Sequence, residues 1–301
     1  MEFELNPDFF RAVVEDSPNG IYITDRSRQI AFWNTSAQRI TGYLAQEVIG
    51  HFCQNDLLMH CDDTGKSLCG CACPLLETIQ DGRPREANIY LRHKQGHRVP
   101  VLVRSIPLRD EFGAVIGSAE VFEESACRFE ENRTPDSAKR VSLDRATDIP
   151  DREVVLAGVS AALEAFAASA AAFGVLSVAV DHLDHLRHVY GCQAIREIYY
   201  ATAQTLLAGT RPEDLVGRLK EDRFTVLVVC PSLQGLHACA ERLRRVVSLA
   251  AVPWWGDRLA VTVSMGGAMG SEGDTADSLL ARAEQNLEAA IAAGADSVIV
   301  S

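Results

Sequence analysis

The sequence predicts two domains in series: a small α+β domain, then an α/β domain whose central sheet is flanked by helices. Three observations carry this expectation. The 301 residues suffice for two hydrophobic cores of ordinary size. A polar stretch from Glu123 to about Leu143, containing Pro135 and a high density of charge, suits a linker better than a core. Before it, two strand candidates, several helices and three further strands suggest one antiparallel sheet; beyond it, strands alternate with helices.

In the first domain the pattern predicts a helix over Phe9 to Val14, strands over Gly20 to Thr24 and Ile30 to Trp33, and a helix reaching Ile40. A helix over Pro74 to Gln80 ends at Asp81-Gly82. Strands follow near Ala87 to Arg92, Arg98 to Pro107 and Ala114 to Phe122, with turns at Gln95-Gly96 and Glu111-Phe112-Gly113. In the second domain an alanine-rich helix spans Glu153 to Ala172 and a buried strand Gly174 to Val180. Helices over Ala194 to Ala208, His237 to Val247 and Thr275 to Ala293 alternate with strands over Phe224 to Val229 and Leu259 to Met265. The expected boundaries are 8–123 for the first domain, 124–142 for the linker and 143–301 for the second.

A formal net charge of −12 disfavours nucleic acid and anionic lipid as partners. No apolar run reaches the roughly 18 to 20 residues that span a bilayer, and the acidic start Met1-Glu2-Phe3-Glu4 lacks the layout of a signal peptide. The expectation is a cytoplasmic protein. Of nine cysteines, Cys53, Cys61, Cys69, Cys71 and Cys73 crowd into one stretch instead of spreading as a disulfide framework would.

The segment Leu143 to Arg152, the tyrosine-glycine turn at Val189-Tyr190-Gly191, the hairpin Gly217 to Phe224 and the late strand Val261 to Met265 with its glycine turn at Gly266 resemble, in order, the GGDEF (diguanylate cyclase) family. The resemblance implies a nucleotidyl cyclase-type fold. It also implies a chemistry in which carboxylate-held metal ions assist attack of a ribose 3′ hydroxyl on an α-phosphate. Counted from Tyr190-Gly191, the family's metal-binding aspartate falls at Ala179, with Asp181 nearby, and its ribose- and guanine-reading residues fall at Arg187 and Arg196. At the signature, Lys220 and Glu221 replace the two glycines and Arg223 replaces the metal-coordinating acid; Asp222 and Phe224 match. The triphosphate-clasping lysine and arginine fall at Ile291 and Ala295. The resemblance therefore implies a degenerate, inactive domain, with a weak cyclase as the competing expectation.

Other positions are retained. Arg211-Pro212-Glu213-Asp214 falls where family members carry the Arg-x-x-Asp of an inhibitory cyclic di-GMP site, and Arg242 falls on its second arginine. Arginine offers a flat fork for bidentate contact, and aspartate accepts from guanine N1 and N2 hydrogens. The bland alternative is a solvated turn. The expectation is a cyclic di-GMP receptor; the alternative is an interaction protein that binds no nucleotide and works as a homodimer or paired with another signalling protein.

The first domain resembles a PAS sensor through Phe9 to Val14, Ser17-Pro18-Asn19-Gly20-Ile21-Tyr22-Ile23-Thr24-Asp25, Ile30-Ala31-Phe32-Trp33-Asn34 and Ile40-Thr41-Gly42-Tyr43. Thiolates and imidazole suit zinc or an iron-sulfur cluster, and Cys53, His60, Cys69 and Cys73 are the preferred set, with Cys61 or Cys71 as substitutes. Heme is a weaker expectation, resting on Cys73-Pro74. Thiol redox switching and a cluster of plain reduced thiols stay open. His182, His185 and His188 read as a solvated helix face.

Overall fold

The computed structural model describes residues 7–53, 55, 57–62, 66–69, 73–124, 142–255 and 257–301. It divides into an N-terminal and a C-terminal unit, taken here each by itself. The expected linker lies outside the described residues except at its two ends.

The N-terminal unit runs α1 (Pro7–Glu15), β1 (Gly20–Asp25), β2 (Ile30–Trp33), α2 (Thr35–Thr41), α3 (Ala45–Val48), α4 (Pro74–Asp81), β3 (Arg85–Arg92), β4 (Arg98–Arg109) and β5 (Val115–Glu124). Its sheet has the order β2-β1-β5-β4-β3. Asn34 fixes the entry to α2. Its Oδ1 accepts from the backbone N–H of Ile21 at 2.9 Å and of Ala37 at 2.8 Å, while Nδ2 donates to the Val14 and Asn19 carbonyls. One fully buried side chain thus caps a helix and ties it to β1. Gly42 ends the helix at φ +74°, where a side chain would be strained.

The C-terminal unit runs α5 (Arg152–Ser169), β6 (Phe173–Val180), α6 (Leu183–Ala208), β7 (Leu215–Lys220), β8 (Arg223–Val229), α7 (Leu233–Ser248), β9 (Ala251–Trp254), β10 (Asp257–Ala260), β11 (Val263–Met269), α8 (Ala276–Ala292) and β12 (Val298–Val300). Five strands form a sheet of order β12-β11-β6-β8-β7, antiparallel except where β12 lies parallel to β11. β6, buried along its whole length, is the central strand. On one face Leu176 and Val178 pack with Ile198 and Leu206 of α6 and Leu236 and Leu243 of α7. On the other, Phe173 and Val175 pack with Val155 and Val159 of α5 and Leu279 and Ala283 of α8. The unit is therefore three layers deep.

Several elements differ from the sequence expectation for physical reasons. The single strand expected over Leu259 to Met265 is split into β10 and β11. Between them Thr262 turns onto Asp181: its carbonyl accepts from the Asp181 N–H at 3.0 Å and its hydroxyl donates to Asp181 Oδ2 at 2.7 Å. The helix expected from Ala194 begins at Leu183, with a break at Gly191 (φ +79°) that hides its continuity in the sequence. Gly266, expected in a turn, lies within β11. A Cβ there would collide with the Leu287 N–H and the Ala283 carbonyl, so this glycine lets α8 lie directly on the strand.

Among the described residues no helix is long and apolar enough to cross a membrane. Because Gly266 meets backbone and not a flexible side chain, Gly266→Ala is expected to cost about 2–3 kcal/mol by overpacking. Thermal or denaturant unfolding reads this directly; a change within about 0.5 kcal/mol would contradict the close approach of α8.

Candidate functional site

The β7–β8 hairpin faces the first half of α6 across a cleft of about 930 Å³. Five of the sequence-predicted positions line it: Arg187 and Arg196 from α6, and Lys220, Glu221 and Asp222 from the hairpin. Arg218 closes its floor. The guanidinium bonds Asp144 Oδ1 at 2.9 Å, donates to the Glu221 carbonyl and lies 4.7 Å over the Tyr199 ring. Burial works against ionisation of Asp144, yet hydrogen bonds from Thr147 and Arg218 hold its carboxyl below the usual range. The entry segment is thereby clamped to the hairpin.

Ala179 and Arg223 do not line the cleft. β6 and β8 are in register up to Val178 opposite Phe224, so the next positions along the two strands are Ala179 and Arg223. Ala179 is buried and offers no oxygen. Arg223 turns to α8, where Nε bonds Glu284 Oε1 at 3.1 Å, and Nη1 bonds Asp222 Oδ2 at 2.6 Å. Lys220 Nζ lies 3.5 Å from the same Glu284 oxygen, and Ser177 Oγ donates to the other at 2.9 Å. Burial works against ionisation of Glu284, but Ser177, Lys220 and Arg223 outweigh it and hold the carboxyl below its ordinary value. Two carboxylates, Glu284 and Asp222, and two cations therefore form one network at the turn of the hairpin. Asp181 takes no part in it. Its carboxylate accepts from Thr262 Oγ1, Ser264 Oγ and the Asp296 N–H at 2.7 to 2.9 Å, which makes it a structural fastener among β6, β11 and the approach to β12.

The second set of predicted residues also converges. Arg242 on α7 donates to the Gly209 carbonyl at 2.5 Å, two residues before Arg211. The Cys239 thiol, pushed up by burial, feels the charges of Arg242, Asp214 and Arg211 together. Arg211 is exposed, with only a 3.9 Å contact to Glu213. Asp214 is more constrained: one oxygen accepts from the Arg211 N–H and the other from the Val229 N–H, both at 3.0 Å. It holds the turn in shape while Arg211 projects from it.

The predicted metal site of the first domain does not form. Among the described residues no group of three or more histidine, cysteine, aspartate or glutamate side chains is arranged to hold a metal ion. Cys53 and Cys73 are built into the apolar core instead, and burial pushes both thiols up. His60 is buried, and Cys69 Sγ lies 4.0 Å from the His60 carbonyl. The segment is held by backbone pairing of Cys61 with Tyr90 on β3. The expectation of zinc or an iron-sulfur cluster is corrected accordingly; the substitute ligand Cys71 lies outside the described residues. In the same core Glu120 is fully buried and accepts from the Tyr22 hydroxyl and from Ser105 Oγ.

Sequence reasoning missed Glu284, Arg152 and Tyr199. Arg223 and Glu284 stand 61 positions apart, and no local spacing pairs them. The only available signal was chemical: a buried strand serine and an arginine at the strand start both need an acceptor.

Two outcomes follow from this geometry. Asp214→Ala removes the acceptor of two backbone N–H groups and is expected to cost about 1–2 kcal/mol, whereas Arg211→Ala should leave the unfolding midpoint unchanged; equal effects would contradict the division of roles. A glutamate depressed on folding stabilises the fold above its unfolded value and loses that contribution as pH falls through the folded value. The stability gap between the wild type and Glu284→Gln, widest near neutrality, is therefore expected to narrow below about pH 4.5; a gap independent of pH would contradict the network.

Comparison with known proteins agrees with both units. A PAS domain family matches residues 18–124, and the family described as diguanylate cyclase, GGDEF domain, matches residues 141–297. The diguanylate cyclase DgcP of Pseudomonas aeruginosa is 28% identical over 131 residues, covering 42% of this chain and 20% of that protein. The response regulator PleD of Caulobacter vibrioides is 25% identical over 171 residues, covering 56% of this chain and 38% of that protein. The chain thus matches well under half the length of either relative. The crystal structure of the GGDEF domain of DgcB from Caulobacter crescentus in complex with c-di-GMP superposes with a TM-score of 0.51 at 18% identity, over 55% of this chain and 95% of that one, a likeness of fold. The chain belongs to the GGDEF family, with a PAS domain joined ahead of its GGDEF domain.

Proposed function

We propose that the protein is a signalling receptor whose GGDEF domain binds cyclic di-GMP through Arg211, Asp214 and Arg242 and does not synthesise it. The observation that carries the second half is the Arg223–Glu284–Lys220 network. Phosphoryl transfer of this kind depends on carboxylate-held metal ions that neutralise charge on the phosphates. Here one expected metal ligand is a buried alanine, and another is an arginine already bonded to a glutamate. A divalent cation brought to this position finds the Glu284 and Asp222 carboxylates already engaged by a guanidinium and an ammonium group, which it would have to displace.

The receptor half is supported by the convergence of Arg211, Asp214 and Arg242 and by the DgcB GGDEF domain, which is described in complex with c-di-GMP. Arg211 is exposed and able to fork onto a phosphate or guanine edge. A second reading has its own observation. Because both Asp214 oxygens already serve backbone N–H groups, the turn is self-sufficient. On that reading the domain binds no nucleotide and works by pairing, as a homodimer or with another signalling protein.

Purified protein incubated with GTP and magnesium is expected to yield no cyclic di-GMP by chromatography and mass spectrometry; sustained product formation would overturn the inactive assignment. Calorimetric titration with cyclic di-GMP is expected to show binding that weakens about tenfold or more in Arg211→Ala and Arg242→Ala. Absence of binding by the wild type would leave pairing as the function.

A further inference from the structure

The β9–β10 hairpin takes no part in the chemistry of either site. Its strands pair Asp257 with Trp254 and Arg258 with Pro253, so a two-residue turn joins them. The first turn residue is Trp255, which is 92% exposed and sits at φ +48°. Turns of this length favour asparagine, aspartate or glycine in the left-handed region. A bulky aromatic side chain there is disfavoured by its backbone and leaves a large apolar surface in water. Folding therefore gives no reason for the indole. Val252 and Leu259, with Trp254 packed against them, root the hairpin in the core beneath α6 and α7, so its tip stands on a fixed base.

A pocket of matching character lies elsewhere in the same unit. It measures about 360 Å³, with Leu163, Phe166 and Ala167 of α5 on its apolar side and Glu272 and Asp274 of the β11–α8 loop on its polar side. Phe166 is half-buried and held edge-on to Phe173, ring centres 6.3 Å apart, and offers an aromatic surface to a further ring. Asp274 is occupied by Arg282, Ser278 and the Ser271 N–H. Glu272 is exposed and has no such partner among the described residues, so it can accept from an indole N–H. The chain cannot fill this pocket with its own Trp255. The hairpin packs on the face covered by α6 and α7 and leads into the start of β11. The pocket belongs to the face covered by α5 and α8 and follows the end of β11, a strand length of about 20 Å away. We infer that Trp255 of one copy inserts into the α5 pocket of another, a head-to-tail contact that brings Arg258, exposed beside the tip, towards Glu272 on the rim. Because the two surfaces differ, the contact is not used up in a pair, and copies add in a row until a ring closes. A symmetric homodimer would instead present the same patch from both copies. The contact does not depend on cyclic di-GMP binding.

The test is sedimentation velocity of the full chain over a range of concentrations, with Trp255→Asn and Ala167→Arg alongside. Trp255→Asn suits the left-handed turn, and Ala167→Arg falls on an exposed helix position. Both are therefore expected to keep the wild-type unfolding midpoint, which is measured first. The wild type is expected to gain mass with concentration, and each variant alone to weaken that association about tenfold or more. An equal mixture of the two is expected to form a mixed complex that stops at one added copy, because Trp255→Asn retains the pocket and Ala167→Arg retains the tryptophan. A symmetric contact cannot be restored in this way. The inference is overturned by no gain in mass in the wild type, by association that Trp255→Asn leaves unchanged, or by a mixture that behaves as the sum of its parts. A blue shift of tryptophan emission on phosphatidylcholine vesicles, in protein that does not self-associate, also overturns it and assigns the tip to a lipid surface.

Discussion

A guanidinium held by a glutamate, Arg223 on Glu284, is the interaction around which the C-terminal unit is arranged. Neither partner is tolerable alone. A half-buried carboxylate needs a cation, and an arginine at the start of a buried strand needs an acceptor. Ser177 from the central strand and Lys220 from the hairpin complete the set, so β6, β7, β8 and α8 share one electrostatic centre. On the proposed reading, cations belonging to the chain itself stand at the strand ends where metal-binding acids are expected.

That centre exists only because α8 comes close enough to deliver Glu284. Gly266 allows the contact by having no Cβ, and Asp181 keeps β6 and β11 fastened by collecting two hydroxyls and a backbone N–H. These devices serve the fold, while on the proposed reading the positions that would serve the reaction carry alanine, lysine and arginine. A scaffold and the chemistry grafted on it are separable, and here the sheet, its two layers of helices and the hairpin form a frame around the cleft.

Most of the fold was legible because it follows from periodicity: α4, α5, α7, α8 and the strands β1, β2, β6 and β8 fall close to where apolar spacing and turn residues put them. The misses have local causes. Thr262 breaks an apparently continuous strand to reach Asp181, and Gly191 interrupts an otherwise continuous α6. The cleft was legible wherever a family position could be counted from a fixed neighbour, as at Arg187, Arg196 and Lys220. Glu284 and Tyr199 were not, because what matters about them is a partner distant in sequence. The cysteine-rich stretch misled for a related reason. Spacing reports which thiols are near in the chain, but it does not report that Cys53 and Cys73 are packed into the core beside Tyr22 and Glu120.

The most direct test of the resident cation is manganese binding followed by electron paramagnetic resonance, in which free aqueous manganese gives a signal that is lost on coordination. The wild type is expected to leave the free signal undiminished at stoichiometric metal, and Ala179→Asp/Arg223→Glu, which restores acids at the two strand ends, to deplete it. Stoichiometric depletion by the wild type, relieved by Glu284→Gln, would mean that Glu284 holds a metal and not Arg223, and would contradict the account.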